Sequence, residues 1–396
     1  MSSLHRRLRS LPRGLLPLYA GTIATRLGTF VVPYLTLYLS QDRGLSLSVT
    51  GRIIAAGGVG LLLGNLAGGW LADRVGRKTA LLFALVINAA GMVLLGSGLP
   101  SATAYALALA LASVGGGMYT PAANAWIADL TEGAGRQLAY TVNYICINVG
   151  MGLGPLLGGM LAAASFHWLF IGDVATTAVC AAFIASASGR TRRVRSGHDA
   201  PAPSMKLSPT TLAVLAFCSA SFFIIAPLMG LEYAVPLFVG TVLHEPLVLV
   251  GLVYTVNATC ILLLGLPLER AVAGRDPLLM MALAGVLWAM GLSVLAVGLS
   301  ASALLLCTFL WTLGEMLGSV VVPTFVANRV DEDVRGRFLA VPDAMRSLAA
   351  IVAPIALGLV WERQGFGTVL AVLIATPLIG SALYGVAWAI RGRSAR

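Results

Sequence analysis

The chain has 396 residues, of which 58% are hydrophobic and only 11% charged, with a mean hydropathy of +0.89. Soluble globular chains carry about 25% charged residues, so an array of water-soluble domains is excluded. The formal net charge of +10 is not laid out as a nucleic-acid surface: the basic residues collect in short segments between long apolar runs.

Twelve apolar stretches follow one another along the chain, each long enough to cross a ~30 Å hydrocarbon core. They are expected at residues 14–39, 48–72, 79–98, 103–128, 138–163, 167–188, 209–236, 247–268, 277–297, 302–327, 338–361 and 367–390. A backbone in lipid must satisfy its polar groups internally, so each stretch is predicted to be a helix, and the fold class is an all-α membrane protein. The first stretch follows Arg6, Arg7, Arg9 and Arg13; it is too long for a removed signal peptide, has no small-residue cleavage pattern, and is kept as a span. Residues 189–208 are polar, basic and Pro-containing, with Arg190, Arg192, Arg193 and Arg195. They read as a linker between an N-terminal six-helix bundle, 1–188, and a C-terminal one, 209–396.

With both termini in the cytoplasm, most of the 26 basic residues fall on that side, in the N-terminal segment, the linker, the C-terminal tail and the even-numbered loops. The outer side keeps only Arg43, Arg52 and Arg363. This asymmetry is the positive-inside pattern, and it predicts a multi-pass protein of the cell (inner) membrane with the lipid bilayer as its surroundings and no nucleic-acid partner. The five cysteines (Cys146, Cys180, Cys218, Cys260 and Cys307) all fall within spans and form no C-x-x-C pair, so neither a disulfide nor a metal site is expected. His167 and His244 lie at loop edges away from any nucleophile, and no enzyme constellation or cofactor motif is present.

The two halves echo each other. Gly69 to Arg74 parallels Gly265 to Arg270, Pro121 through Arg136 parallels Pro323 through Arg337, and Gly154-Pro155 parallels Ala353-Pro354, all at nearly one interval. Parallel repeats of this kind suit two helical bundles around a shared axis.

Two motifs carry a resemblance. The first is Gly69-Trp70-Leu71-Ala72-Asp73-Arg74-Val75-Gly76-Arg77-Lys78, a charged turn between the second and third spans. The second is Gly150-Met151-Gly152-Leu153-Gly154-Pro155-Leu156-Leu157-Gly158-Gly159 in the fifth span, a G-x-x-x-G-P-x-x-G-G pattern of small residues with one helix-bending proline. Together they make the whole chain resemble the major facilitator superfamily, in its twelve-span drug:proton antiporter branch. The resemblance implies a central cavity with alternating access, lined by the first, fourth, seventh and tenth spans, and a carrier that commonly works as a monomer. It makes Gly69, Asp73, Arg74, Gly76, Arg77 and Lys78 a conformational latch, and Gly150, Gly154, Pro155, Gly158 and Gly159 the antiporter motif. The fourth span, unlike that branch, has no Arg in Leu107 to Gly115, and the first has Arg26 where an acid is common. Proton-coupled peptide transporters offer a remote echo in Arg26, without their first-span motif.

Charges inside the spans point to the site. An Arg at a membrane helix centre costs about 2.5–3.5 kcal/mol on insertion scales and defaults to function. Arg26 in the first span, Glu232 in the seventh and Glu315 in the tenth all lie on spans that the resemblance places around the cavity, and one shared site is expected. A desolvated carboxylate beside a cation can switch protonation. Glu315 is therefore expected to carry the proton, Glu232 to be a second carrier or substrate contact, and Arg26 to be a counter-charge or anion contact. Phe30, Tyr34 and Tyr38 follow Arg26 at i+4 spacing on one helix face, and with Tyr119, Tyr233, Tyr254, Asn257 and Trp311 they are candidate substrate-binding residues. Asn143 and Asn148 point about 140° apart around a helix of 3.6 residues per turn, so at most one is expected to reach the cavity and the other to cross-link helices. Asp343 and Arg346 are expected to form a local i,i+3 ion pair, and Asp173, near a span end, is given no role. The expected function is proton-coupled efflux of small amphipathic molecules; import of a nutrient, amino acid or peptide with protons is the alternative.

Overall fold

The computed structural model describes residues 11–187, 209–330 and 332–394, and the expected linker at 189–208 lies outside them. Among the described residues there is no strand. The helices are Leu16–Leu27 and Val31–Leu37, which together form the first span, then Leu47–Val75, Arg77–Gly96, Ala102–Leu130, Gly133–Ala164 and His167–Ser186. The later spans are Pro209–Ala220 with Phe222–Leu237, Val248–Val272, Pro277–Val297, Ala301–Ala327, Glu332–Gln364 and Phe366–Ser394. Among the described residues eleven spans are long and apolar enough to cross a membrane, the seventh being counted through its break at Ser221. The divided first span is the twelfth.

The division of the first and seventh spans differs from the unbroken runs expected. In the first span the helix stops at Leu27 and restarts at Val31, which places Pro33 in a first helical turn where its missing N–H needs no partner. The interruption is satisfied locally: the Thr29 hydroxyl donates to the Arg26 carbonyl at 2.7 Å, and the Gly28 amide to that of Ala24 at 3.2 Å. In the seventh span the break is at Ser221, whose hydroxyl donates to the Cys218 carbonyl at 2.6 Å. Both spans end in a π-helical turn, Tyr38–Asp42 and Phe238–Leu243.

The described residues form two compact units, one through 11–45 and 52–187, the other through 46–51 and the chain from 209 onward. In the first unit, the first span packs on the fifth and sixth, and the third on the fourth and sixth. In the second unit, the seventh packs on the eleventh and twelfth, and the ninth on the tenth and twelfth. The pairing repeats with a shift of six spans, so the echo in the sequence is an echo in packing. Small residues permit the closest approaches. A Cβ at Gly60 or Gly64 would lie 2.3 or 2.2 Å from the carbonyl oxygen of Ala110 or Val114 in the fourth span.

The second span contributes its first turn to the second unit. There the Leu47 carbonyl accepts from the Tyr233 hydroxyl at 2.8 Å, and the Ser48 amide donates to Glu362 Oε2 at 2.8 Å. A Cβ at Gly51 would lie 2.2 Å from the Pro354 carbonyl oxygen.

Candidate functional site

In the second unit a cavity of about 320 Å³ opens beside the Ser221 break of the seventh span, Pro323 of the tenth and Pro342 of the eleventh. Ile224, Ile225, Leu228, Met281, Val322 and Trp288 make much of its wall, and Glu315, Asp343 and Arg346 are its charged residues. Glu315 Oε2 accepts from Asn257 Nδ2 at 2.7 Å. That nitrogen also donates to Thr312 Oγ1 at 3.1 Å, and the Thr312 hydroxyl donates onward to the Thr308 carbonyl at 2.6 Å. The chain of donors fixes the Asn257 amide with its nitrogen on the carboxylate. Glu232 lies within electrostatic reach of Arg346 and Glu315, and Arg346 acts likewise on Glu315 and Asp343. Three carboxylates thus share one cation, which offsets only part of the cost of holding charge in a membrane.

In the first unit, Arg26 ends the first helical segment beside a small cleft with Thr22, Tyr119, Thr120, Asn124 and Asn143. Its Nη2 donates to Thr120 Oγ1 at 3.3 Å. Thr22 Oγ1 lies 3.3 Å from the Tyr119 hydroxyl and donates to Asn143 Oδ1 at 3.4 Å. The glycines of the fifth span make room for this segment: a Cβ at Gly150 would sit 2.4 Å from Arg26 Cβ, one at Gly154 2.7 Å from the Leu27 oxygen, and one at Gly158 2.4 Å from Phe30 Cβ. The Tyr34 hydroxyl donates to the Pro155 carbonyl at 2.6 Å. The pattern Gly150, Gly154, Pro155, Gly158 is therefore a groove that receives the broken part of the first span; Gly159 follows it in the same helix.

At the turn between the second and third spans, Arg77 Nε donates to Asp129 Oδ2 at 2.9 Å, and its Nη1 pairs with Asp73. The side chains of Arg77 and Asp129 are 12% and 11% exposed, so this clamp is largely desolvated. Lys78 Nζ donates to the Ala185 and Ala187 carbonyls at 2.6 and 3.0 Å, capping the sixth span. Arg74 lies over the Trp70 ring, 4.1 Å from its centre. Gly76 has φ +91° and ψ +152°, a conformation essentially reserved for glycine.

The other predicted residues fall as follows. Trp311 stacks on Trp288 at 4.9 Å, behind the cavity wall. Tyr233 reaches Leu47, Tyr254 is a partly buried residue of the eighth span, and Phe30 and Tyr34 are buried against the fifth span. Several expectations are corrected. Asp343 and Arg346 are not within ion-pair distance; both line the cavity, next to Pro342 of their helix. Asn148 donates to the Tyr144 carbonyl of its own helix at 2.9 Å, and among the described residues no hydrogen bond joins it to another helix. A Cβ at Gly69 meets nothing within 4 Å among the described residues, so packing in this structure does not require that glycine. Asp173 is 5% exposed, more buried than its place near a span end suggested, with Thr177 Oγ1 at 3.5 Å. The sequence reading did not single out Arg346, Asp129 or Thr120 for the site. Arg346 carried the same signal as Arg26, a cation inside a span, but a nearby acid at i−3 explained it away.

Twelve apolar spans in two units, with charged side chains held on internal cavities, define a polytopic carrier of solutes. Comparison with known proteins gives the family: residues 18–354 match the profile of the Major Facilitator Superfamily, and the chain belongs to it. It is accordingly a secondary transporter in a membrane, with small-molecule substrates, and not an enzyme. It is 25% identical to the MFS-type transporter YhjO of Bacillus subtilis over 370 residues, 92% of this chain and 90% of the relative. It is 28% identical to the quinolone resistance protein NorA of Staphylococcus aureus over 140 residues, 35% of this chain and 36% of NorA. The fold matches the crystal structure of the peptide transporter POT in complex with sulfate with a TM-score of 0.78 at 17% identity, covering 96% of this chain and 95% of that one.

Proposed function

We infer that the chain is a proton-coupled antiporter that exports small amphipathic molecules. The observation that carries this reading is Glu315: a carboxylate on the wall of a cavity that is largely apolar elsewhere, oriented by Asn257 and offset by Arg346. An apolar wall with a few placed polar groups suits an amphipathic solute. The carboxylate can hold a proton or balance a charge, but not both at once, and that exclusion couples the two fluxes. Glu232, sharing Arg346 with Glu315, is the second group that can take a proton. NorA, a quinolone resistance protein by name, lends support from a relative. The Asp73–Arg77–Asp129 clamp is the latch in this reading. The distribution of basic residues in the sequence supports a reading in which both termini lie on the cytoplasmic side of a bacterial inner membrane, and the working unit in this reading is a monomer.

The test is proton flux in inverted vesicles under an imposed pH gradient, with hydrophobic cations, zwitterions and anions added in turn. Proton release triggered by a solute and lost in Glu315→Gln is the expected result. Solute movement down the proton gradient in the same direction would make the carrier an importer. Flux that is insensitive to Glu315→Gln would remove Glu315 from the coupling step.

A further inference from the structure

Asp173 is a buried acid that lines neither cavity. It stands in the sixth span, one turn before Thr177, which reaches Asn88 of the third. No cation lies within ion-pair distance of it among the described residues. The Thr177 hydroxyl is 3.5 Å from its Oδ1. The neighbouring Thr176 hydroxyl gives the carboxyl nothing, because it donates to the Gly172 and Asp173 backbone carbonyls at 3.0 and 2.9 Å. One long hydrogen bond does not offset the burial of an ionised carboxylate.

The order of donors shows how that cost is avoided. The Ala112 carbonyl of the fourth span accepts from Asn88 Nδ2 at 3.1 Å. A carbonyl can only accept, so the Asn88 amide is fixed with its nitrogen on Ala112 and its Oδ1 toward Thr177, 3.4 Å away. Asn88 Oδ1 therefore needs the hydroxyl proton of Thr177, which has one to give. An ionised Asp173 would claim the same proton, and one of two buried acceptors would be left without a donor. A protonated Asp173 removes the conflict. Its O–H donates to Thr177, Thr177 to Asn88, and Asn88 to Ala112, so that every donor runs one way from the sixth span through the third to the fourth.

On the elements packed around it, other titratable groups are engaged elsewhere. In the first span Tyr38 donates to the Leu95 carbonyl at 2.9 Å, and Arg26 Nη2 to Thr120 at 3.3 Å. In the third, Arg77 and Lys78 stand in the first turn with the partners already described. In the fifth, Tyr140 donates to the Asn124 carbonyl at 3.0 Å. Cys180 of the sixth span itself donates to the Tyr119 hydroxyl at 3.7 Å.

We propose that Asp173 is a proton-binding site of the first unit, additional to Glu315, whose bound proton closes a hydrogen-bonded chain through the sixth, third and fourth spans. Loss of that proton breaks the chain and leaves an unpaired charge in the seam, so the packing of these spans depends on pH. The inference does not require the antiport reading.

The test is infrared difference spectroscopy with thermal unfolding, on purified full-length protein in detergent. At mildly acidic pH the wild type is expected to show a carboxylic-acid carbonyl band that Asp173→Asn lacks. That variant should unfold at the wild-type temperature, because its amide can donate to Thr177 as the protonated acid does. Toward mildly alkaline pH the wild type should lose more of its unfolding temperature than the variant, since the proton stabilises only while it is bound. Thr177→Val should shift the band without removing it. The proposal is overturned by an unchanged band in Asp173→Asn, or by a variant that unfolds earlier than the wild type in acid or fails to fold. A band that Thr177→Val leaves unmoved overturns it too. So does stabilisation of the wild type by sodium chloride over equal choline chloride, which would put a metal cation in the proton's place. None of these readouts involves flux, so their outcome and that of the vesicle assay are separate.

Discussion

The contact between the first and fifth spans is tight enough for one methyl group to test it. In Gly150→Ala the new Cβ would lie 2.4 Å from Arg26 Cβ, 3.0 Å from Arg26 C and 3.1 Å from Leu27 N. Carbon atoms pack at about 3.5–4.0 Å, so the closest pair is short by about 1.1–1.6 Å. None of the three atoms can rotate away, since two are backbone and the third is the root of the side chain. The first span must retreat by about 1 Å, at the overpacking cost of about 1–3 kcal/mol. That retreat also carries the guanidinium away from Thr120, whose 3.3 Å bond has little length to spare. The assay is thermal unfolding in detergent together with solute flux in vesicles, with Gly116→Ala as control, because a Cβ at Gly116 meets nothing within 4 Å. Gly150→Ala should unfold at a lower temperature than the control and lose most of its flux. Equal unfolding temperatures and equal flux in the two variants would refute the packing argument and the placement of Arg26 with it.

The neighbouring turn separates two glycines of one motif. Gly76→Ala should destabilise by about 1–3 kcal/mol, because φ +91° with ψ +152° strains any side chain, whereas Gly69→Ala should leave the unfolding temperature unchanged. Asp129→Asn should cost about 1.5–3 kcal/mol, the worth of a hydrogen bond to a charged group; a double-mutant cycle with Arg77→Gln measures it, and additivity of the two changes would show no coupling. Tyr233→Phe removes the 2.8 Å bond to Leu47, worth about 0.5–1.5 kcal/mol, and should speed amide exchange in residues 48–51 by about two- to tenfold, with no change expected in the ninth span.

The spans were legible because a membrane imposes a length and an apolar composition that few other folds share. Their interruptions were not, because hydropathy does not register where a helix breaks. The clue at the first span was positional: Gly28 followed by Pro33, a spacing that lets the proline fall in a new first turn. Glu315 was legible from the cost of its charge, but its partner Asn257 lies 58 residues away on another span, beyond any local periodicity. Arg346 shows the opposite failure. Spacing of i,i+3 permits a pair with Asp343, yet both residues line the cavity with Glu315, and Arg346 also lies within electrostatic reach of Glu232. Asp129 gave no signal at all, since an acid at a span end is ordinary until a buried arginine is found on it. The i+4 aromatic face of Phe30, Tyr34 and Tyr38 was real as a face, but periodicity does not say what a face meets; Phe30 and Tyr34 meet the fifth span, and Tyr38 stacks on Phe170 at 4.8 Å.

The repeat explains why the site residues are where they are. Tyr34 precedes Pro155 by 121 residues, and Tyr233 precedes Pro354 by the same interval. In the first unit the tyrosine closes on the proline carbonyl and ties the first span to the fifth. In the second unit the corresponding tyrosine reaches the Leu47 carbonyl instead, and holds the first turn of the second span. The scaffold of helix pairs is common to both units, so it cannot by itself distinguish proton from solute. The side chains added to it can. The first unit puts a cation beside its broken span, and the second puts carboxylates around one arginine beside its own. In each case the charge sits where helix geometry has failed and a hydroxyl has repaired the backbone, Thr29 or Ser221. Irregular backbone within a membrane is tolerated only where protein or water covers it, and those are the same places where a charge can be kept without facing lipid.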